Sequence, residues 1–227
     1  MTIHFGKVKP GTKLYIPFHT FSSDDPAASM TITGLATSDI EIYKDGNEVQ
    51  RASDAGYTLE ATDGIDVDGI TGIHEFSIDL ADDTTANFFS AGSQYKVVVS
   101  SITLDAGVIN FIAATFSIGY EGSLLDTTVL AYTSQTVFTL TKGPAEADAI
   151  NGCPVIIHDK ASEVQMQIGV VLDYTVTSKS VTLDADPNIF TFAANDNISI
   201  MPKTGVGFIN GNVVIGAGTS GDKWRGQ

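Results

Sequence analysis

The 227-residue chain is 43% hydrophobic and 17% charged, and 27 acidic against 12 basic side chains leave a formal net charge of −15. That size suits one large β domain or two smaller ones, and the charge, −10 over residues 1–119 and −5 over 120–227, repels phosphate backbones and excludes nucleic acid as an expected partner. No window approaches the roughly 18 uninterrupted apolar residues of a membrane span, and the single cysteine, Cys153, allows neither an internal disulfide nor a thiolate cluster.

The opening residues, MTIHFGKVKPGTKLYIPF, lack the apolar core and small-residue cleavage site of a secretion signal, so a soluble protein made in a reducing cytoplasm is expected. KLYIPF reads as the first strand, flanked by Pro10 and Pro17, which suit an edge. In DIEIYKDGNEVQRA, Ile40 and Ile42 alternate with Glu41 and Tyr43, and Asp45-Gly46 supplies a tight turn, which predicts a hairpin with one buried face. Alternation returns at Phe76, Ile78 and Leu80, then at Tyr95, Val97 and Val99, with a further return through Asp105-Ala106-Gly107 to Ile109 and Phe111. TTANFFSAG (84–92) is read as a turn or two of helix carrying Phe88 and Phe89 to the sandwich end. About seven short strands broken by turn signals predict an immunoglobulin-like β-sandwich over residues 1–119.

Residues 120–126 read as a linker, and the strand pattern restarts with TTVLAY and runs to NISIMPK. This predicts a second, small all-β domain over 127–203, an open barrel, with one helical turn at GPAEADAIN (143–151). Residues 204–227 are rich in glycine, carry one brief apolar strand, Val213, Val214 and Ile215, and hold the only tryptophan, Trp224. A segment of this kind cannot build its own core, so it is expected to serve as an assembly arm anchored by those four residues.

The stretch TDGIDVDGITGIHEFSIDL offers the weak metal candidates Asp63, Asp66 and Asp68. A calcium loop needs oxygen ligands at alternate positions, then a glycine, and a bidentate acid at its close. Counted from Asp66, the third ligand position is Ile70 and the closing one Ser77, so the register fails. Asp-Gly at 63–64 and 68–69 instead predicts turns, with Ile65, Val67, Ile70 and Ile73 anchoring the loop. No metal and no cofactor are expected.

His4, His19, His74 and His158 show no helical zinc spacing, and alternation sends His74 and Glu75 to opposite faces of a strand. Neither a G-x-S-x-G elbow nor a phosphate-binding loop is present, and Cys153 before Pro154 reads as a buried small side chain. No catalytic residue is assigned and no enzyme activity is expected. Tyr15, Tyr43, Tyr57, Tyr95, Tyr120, Tyr132 and Tyr174 leave open a host-glycan platform, if several of them converge on the surface.

The ordered phrases KVKPGTKLYIPFHTF, LATSDIEIYKDGN, RASDAGYTL, TDGIDVDGITGIHEFSIDL and YKVVVSSITLDAGVINFIAATFSI, over about residues 1–118, resemble a β-sandwich module of tailed-phage virion proteins. The likeness extends, more loosely, to the immunoglobulin-like attachment domain of upper-baseplate proteins. AINGCPVIIHD and IGVVLDYTVTSKSVTLDADP resemble a domain that follows the first in such proteins, and INGNVVIGAGTSGDKW a connector. The resemblance implies a non-enzymatic virion part in the tail, baseplate or neck, or a capsid-surface decoration. It implies other virion proteins as partners and a homo-oligomer, a trimer ahead of a hexamer. A carbohydrate-binding or host-adhesion module is the alternative, and a metal-dependent hydrolase using the Asp63–Asp68 loop ranks last.

Overall fold

The computed structural model describes residues 2–162 and 165–203, and the backbone of strand residues 208–209, 212–215 and 225–226. The chain is all-β. Seven strands build the first module: β1 (Ile3–Val8), β2 (Lys13–His19), β3 (Ile40–Lys44), β4 (Tyr57–Leu59), β5 (Ile73–Asp79), β6 (Gln94–Leu104) and β7 (Gly107–Ile118). One sheet has the order β1-β7-β6-β3 and the other β2-β5-β4, with β1 running parallel to β7. The alternation in KLYIPFH turns Leu14, Ile16 and Phe18 inward and Lys13, Tyr15, Pro17 and His19 outward. Phe76 and Ile78 from β5 meet Ile42 of β3 and Val97 and Val99 of β6 in a single core, where each fully buried side chain contributes about 1.5–3 kcal/mol.

KLYIPF is the second strand rather than the first, because Ile3–Val8 already pairs with β7; Pro17 lies within β2, an edge strand. Asp45 and Gly46 both take positive φ and make the expected turn, but no hairpin follows. β3 pairs with β6, and after the turn the chain crosses to the other sheet, where β4 pairs with β5. The turn that does close a hairpin joins Leu104 to Gly107 through Asp105 and Ala106, both at positive φ, a geometry that matches strand twist. Neither 84–92 nor 143–151 is helical; both are turns, and Phe88 and Phe89 still pack at the sandwich end.

The second module is a closed barrel of order β10-β11-β12-β9-β8-β13, every pairing antiparallel. Its strands are β8 (Leu125–Ser134), β9 (Val137–Leu140), β10 (Pro154–His158), β11 (Met166–Thr175), β12 (Ser180–Leu183) and β13 (Asn197–Ile200). It is closed rather than open because β13 pairs with both β8 and β10, which removes the last free edge. β8 begins at Leu125, inside the stretch read as linker. Val129, Phe138, Val155, Ile157, Val171 and Phe192 fill the interior, and the fully buried Tyr174 sends its hydroxyl to the Pro144 carbonyl at 2.9 Å. Beyond the barrel, β14 (Phe208–Ile209), β15 (Asn212–Ile215) and β16 (Arg225–Gly226) pair as a separate three-stranded sheet.

Candidate functional site

Two of the three candidate carboxylates bond to their own loop, and Asp68 is exposed. Asp63 Oδ1 accepts the Ile65 N–H at 3.0 Å, and Asp66 Oδ1 accepts the Gly72 N–H at 2.7 Å. Gly64 and Gly69 take the positive φ that the Asp-Gly turns require, as do Asp66 and Asp68. A Cβ at Gly64 would come within 2.8 Å of the Glu75 carbonyl. Among the described residues no group of three or more His, Cys, Asp or Glu is placed to hold a metal ion. Of the expected anchors only Ile65 packs on the core; Ile70 and Ile73 are exposed, because the loop folds on hydrogen bonds rather than on apolar contacts.

The hub of this loop is His74, fully buried, while its neighbour Glu75 points away from the core. His74 Nδ1 accepts the Asp66 N–H at 3.2 Å, which leaves Nε2 to carry the proton and donate to Thr20 Oγ1 at 2.7 Å. Thr20 in turn donates to the Met30 carbonyl at 2.5 Å. Both hydrogen-bond partners suit a neutral imidazole, and burial pushes the His74 pKa down against the opposing pull of Asp66, whose carboxylate lies 3.8 Å from Nδ1, and of Asp63. A depressed pKa means that the unfolded chain takes up the proton first. Stability is therefore full well above pH 6.5 and falls as pH drops from there toward the folded value, below which it levels off, with a slope of at most about 1.4 kcal/mol per pH unit. Urea midpoints between pH 7.5 and 5 should show this slope and should lose most of it in His74→Gln.

Among the described residues the other candidate side chains lie apart from one another. His4 Nδ1 lies 2.8 Å from Thr115 Oγ1 on an outer sheet face, His19 packs beside Phe21, and His158 is buried where the modules meet. Cys153 is buried in the barrel core. Tyr15 and Tyr132 are exposed but sit on different modules, and Tyr57, Tyr95 and Tyr174 are buried. Burial raises the Tyr95 pKa to about 12.

Two features escaped the sequence. The first is the junction, centred on Asp126, whose side chain is 5% exposed. Its carboxylate accepts from Lys7 Nζ at 2.8 Å, Ser123 Oγ at 2.6 Å, Ser199 Oγ at 2.6 Å and the Tyr120 N–H at 3.2 Å. Burial pushes its pKa up, and these donors more than offset that and hold it below the usual range. Asn197 Oδ1 accepts the Ala91 N–H at 2.9 Å, and Lys160 reaches the Phe89 carbonyl at 3.2 Å and Asp83 at 3.5 Å. The modules are thus joined by buried, charge-assisted bonds.

The second is the outer face of β11. Met166, Ile168, Val170 and Leu172 alternate outward and are 50%, 63%, 37% and 60% exposed. The inward positions are Gln167, Gly169, Val171 and Tyr174. Gln167 is held by the Ile189 and Phe190 N–H groups, and a side chain at Gly169 would meet Leu183, so the less apolar set of the strand is the one inside. Cross-strand neighbours Pro154 and Ile156 of β10 widen the aliphatic face, and Tyr120 closes one end, its hydroxyl 3.7 Å from Met166 Sδ. Together these side chains form a contiguous exposed aliphatic face on the barrel wall.

Val213, Val214 and Ile215 form β15 as a backbone strand, and Trp224 lies outside the described residues. No helix among the described residues is long and apolar enough to cross a membrane. No protein-family model matches the chain, and no curated protein matches it.

Proposed function

We propose that the chain is a non-enzymatic structural component of a tailed-phage virion, a tail, baseplate or neck part or a capsid-surface decoration, that works by subunit assembly. The aliphatic outer face of β11 carries the assembly reading: a barrel that hides Gln167 and displays Met166, Ile168, Val170 and Leu172 has a surface made to be covered. The bonds that cross from sandwich to barrel, Lys7 to Asp126, Ala91 to Asn197 and Lys160 to Phe89, support it, since they tie the two modules together. The virion setting rests on the resemblance of residues 1–118. The strand order β1-β7-β6-β3 over β2-β5-β4 is in keeping with an immunoglobulin-like module in which the first strand has moved to the opposite sheet.

Light scattering across a concentration series tests the reading. A stable trimer or hexamer, with other virion proteins as further partners, is the expected result. A single-chain mass at every concentration overturns self-assembly.

One observation favours the alternative of glycan binding: a cleft of about 520 Å³ on the outer face of the β1-β7-β6-β3 sheet, lined by His4, Tyr43, Gln94, Lys96 and Thr115. Lys96 lies over the Tyr43 ring, 4.7 Å from its centroid. Saturable binding of a host-envelope polysaccharide that Tyr43→Ala abolishes would establish this second reading, and no such binding is expected under the first.

A further inference from the structure

Resting on the subunit-assembly reading, we infer that the aliphatic face of β11 receives the C-terminal segment, residues 204–227, of a neighbouring copy of this chain. The face runs from Met166 to Leu172, about 20 Å of strand. Asp173 lies beside Leu172 and Asp184 puts its N–H on the Val170 carbonyl, while Lys203 lies against Gly152 and Lys9 over the Tyr120 ring, so the border carries both signs. The occupant must therefore be apolar, and on a chain of net charge −15 one without a net negative charge is favoured. The C-terminal segment meets both conditions. It brings Val213, Val214, Ile215 and Trp224, and it carries Lys223 and Arg225 against Asp222, a net charge of +1.

The path of the chain agrees. Met201 donates its N–H to the Pro154 carbonyl at 2.8 Å, and Pro154 pairs with Val170, so the barrel ends beside this face. Residues 204–227 can reach about 80 Å if extended, enough to leave one barrel and cross to another. Their described strands pair only with one another, in the three-stranded sheet β14-β15-β16, and with no strand of their own barrel. A sheet that small is marginal without a surface to pack on. A segment of one copy on a different patch of the next is a head-to-tail contact, which closes into a ring or propagates, according to its rotation.

Cysteine pairing gives the direct test, with buried Cys153 left in place. One tagged chain carries Ile168→Cys, a second carries a cysteine at 213, 214 or 215 in turn, and the two are mixed and mildly oxidised. A disulfide-linked heterodimer that needs both cysteines is expected. If a chain holding both cysteines closes only on itself, at every concentration, the segment belongs to its own barrel and the inference is overturned. Ile168→Asp with Leu172→Asp supplies the second measurement, because both side chains are exposed and the barrel should fold unchanged by circular dichroism. The native mass should fall threefold from a trimer or sixfold from a hexamer. An oligomer that survives both changes overturns the inference while leaving the assembly reading in place, and a wild-type chain that is monomeric throughout removes both.

Discussion

Gly92→Ala is expected to break the joint between the two modules. Gly92 has φ +78°, and a Cβ built there would overlap the main-chain carbonyl of Asp126 outright. Its N–H is committed to the Ile118 carbonyl at 2.9 Å, so the residue cannot swing aside without opening the end of β7. The positive φ alone costs about 1 kcal/mol, and the overlap, being with backbone, can be relieved only by moving β8 away. That motion pulls Asp126 from Lys7, its ion-pair partner on the sandwich, and leaves a buried carboxylate without its counter-charge. A total loss on the order of 3 kcal/mol or more follows. Calorimetry should show one transition in the natural protein and two in Gly92→Ala, with the sandwich and the barrel melting separately. Gly122→Ala is the matched control, because Gly122 has the same φ of +78° but nothing within 4 Å of an added Cβ. It should cost only the backbone term and keep a single transition; equal behaviour of the two variants would sink the account of the joint.

Asp82→Ala should be comparably severe by a different route. Arg51 is 3% exposed, and its guanidinium pairs with Asp82 while Nη1 donates to the Ser53 and Ala55 carbonyls at 2.8 and 2.7 Å. The Phe89, Tyr57 and Phe88 rings lie 5.1, 5.4 and 5.9 Å from its central carbon. Removing the carboxylate leaves an uncompensated cation among aromatics, a loss of about 3–5 kcal/mol. Replacing both partners, Arg51→Met with Asp82→Ala, takes the charge away as well and should recover most of that loss. Urea unfolding of the two single variants and the double variant closes the cycle. A double variant no more stable than Asp82→Ala would mean that the pair is not the source of the cost.

Strand identity was readable in the residues wherever one face is buried. Ile40 and Ile42, Phe76 and Ile78, and Val97 and Val99 alternate because each second side chain enters a common core. Partner choice was not readable. Asp45-Gly46 specifies a tight turn through its two positive φ values, but a local turn does not decide which sheet the following residues join, and here β4 pairs with β5 of the other sheet. Barrel closure was hidden for the same reason, since it depends on β13 finding β8 across more than sixty residues of chain. Arg51 and Asp126 gave no local signal, as a lone arginine or aspartate is ordinary until tertiary contacts bury it. The β11 face was written in VQMQIGVVLDY, in a form that misleads: the regular apolar set Met166, Ile168, Val170 and Leu172 would be assigned to a core by its period, and only the space available at Gly169 and the amide partners of Gln167 decide that the other set turns in.

The parallel pairing of β1 with β7 bears on how the molecule carries load. Ile3 lies opposite Ala114, and Val8 opposite Ile118, with Gly119 tied back to Val8 at 2.9 Å just before the barrel begins. Tension applied between the N-terminal end of β1 and the barrel therefore runs along these two strands in opposite senses. It slides one past the other instead of peeling them apart. The ladder bonds are loaded together, so the sandwich yields only when they fail as a group.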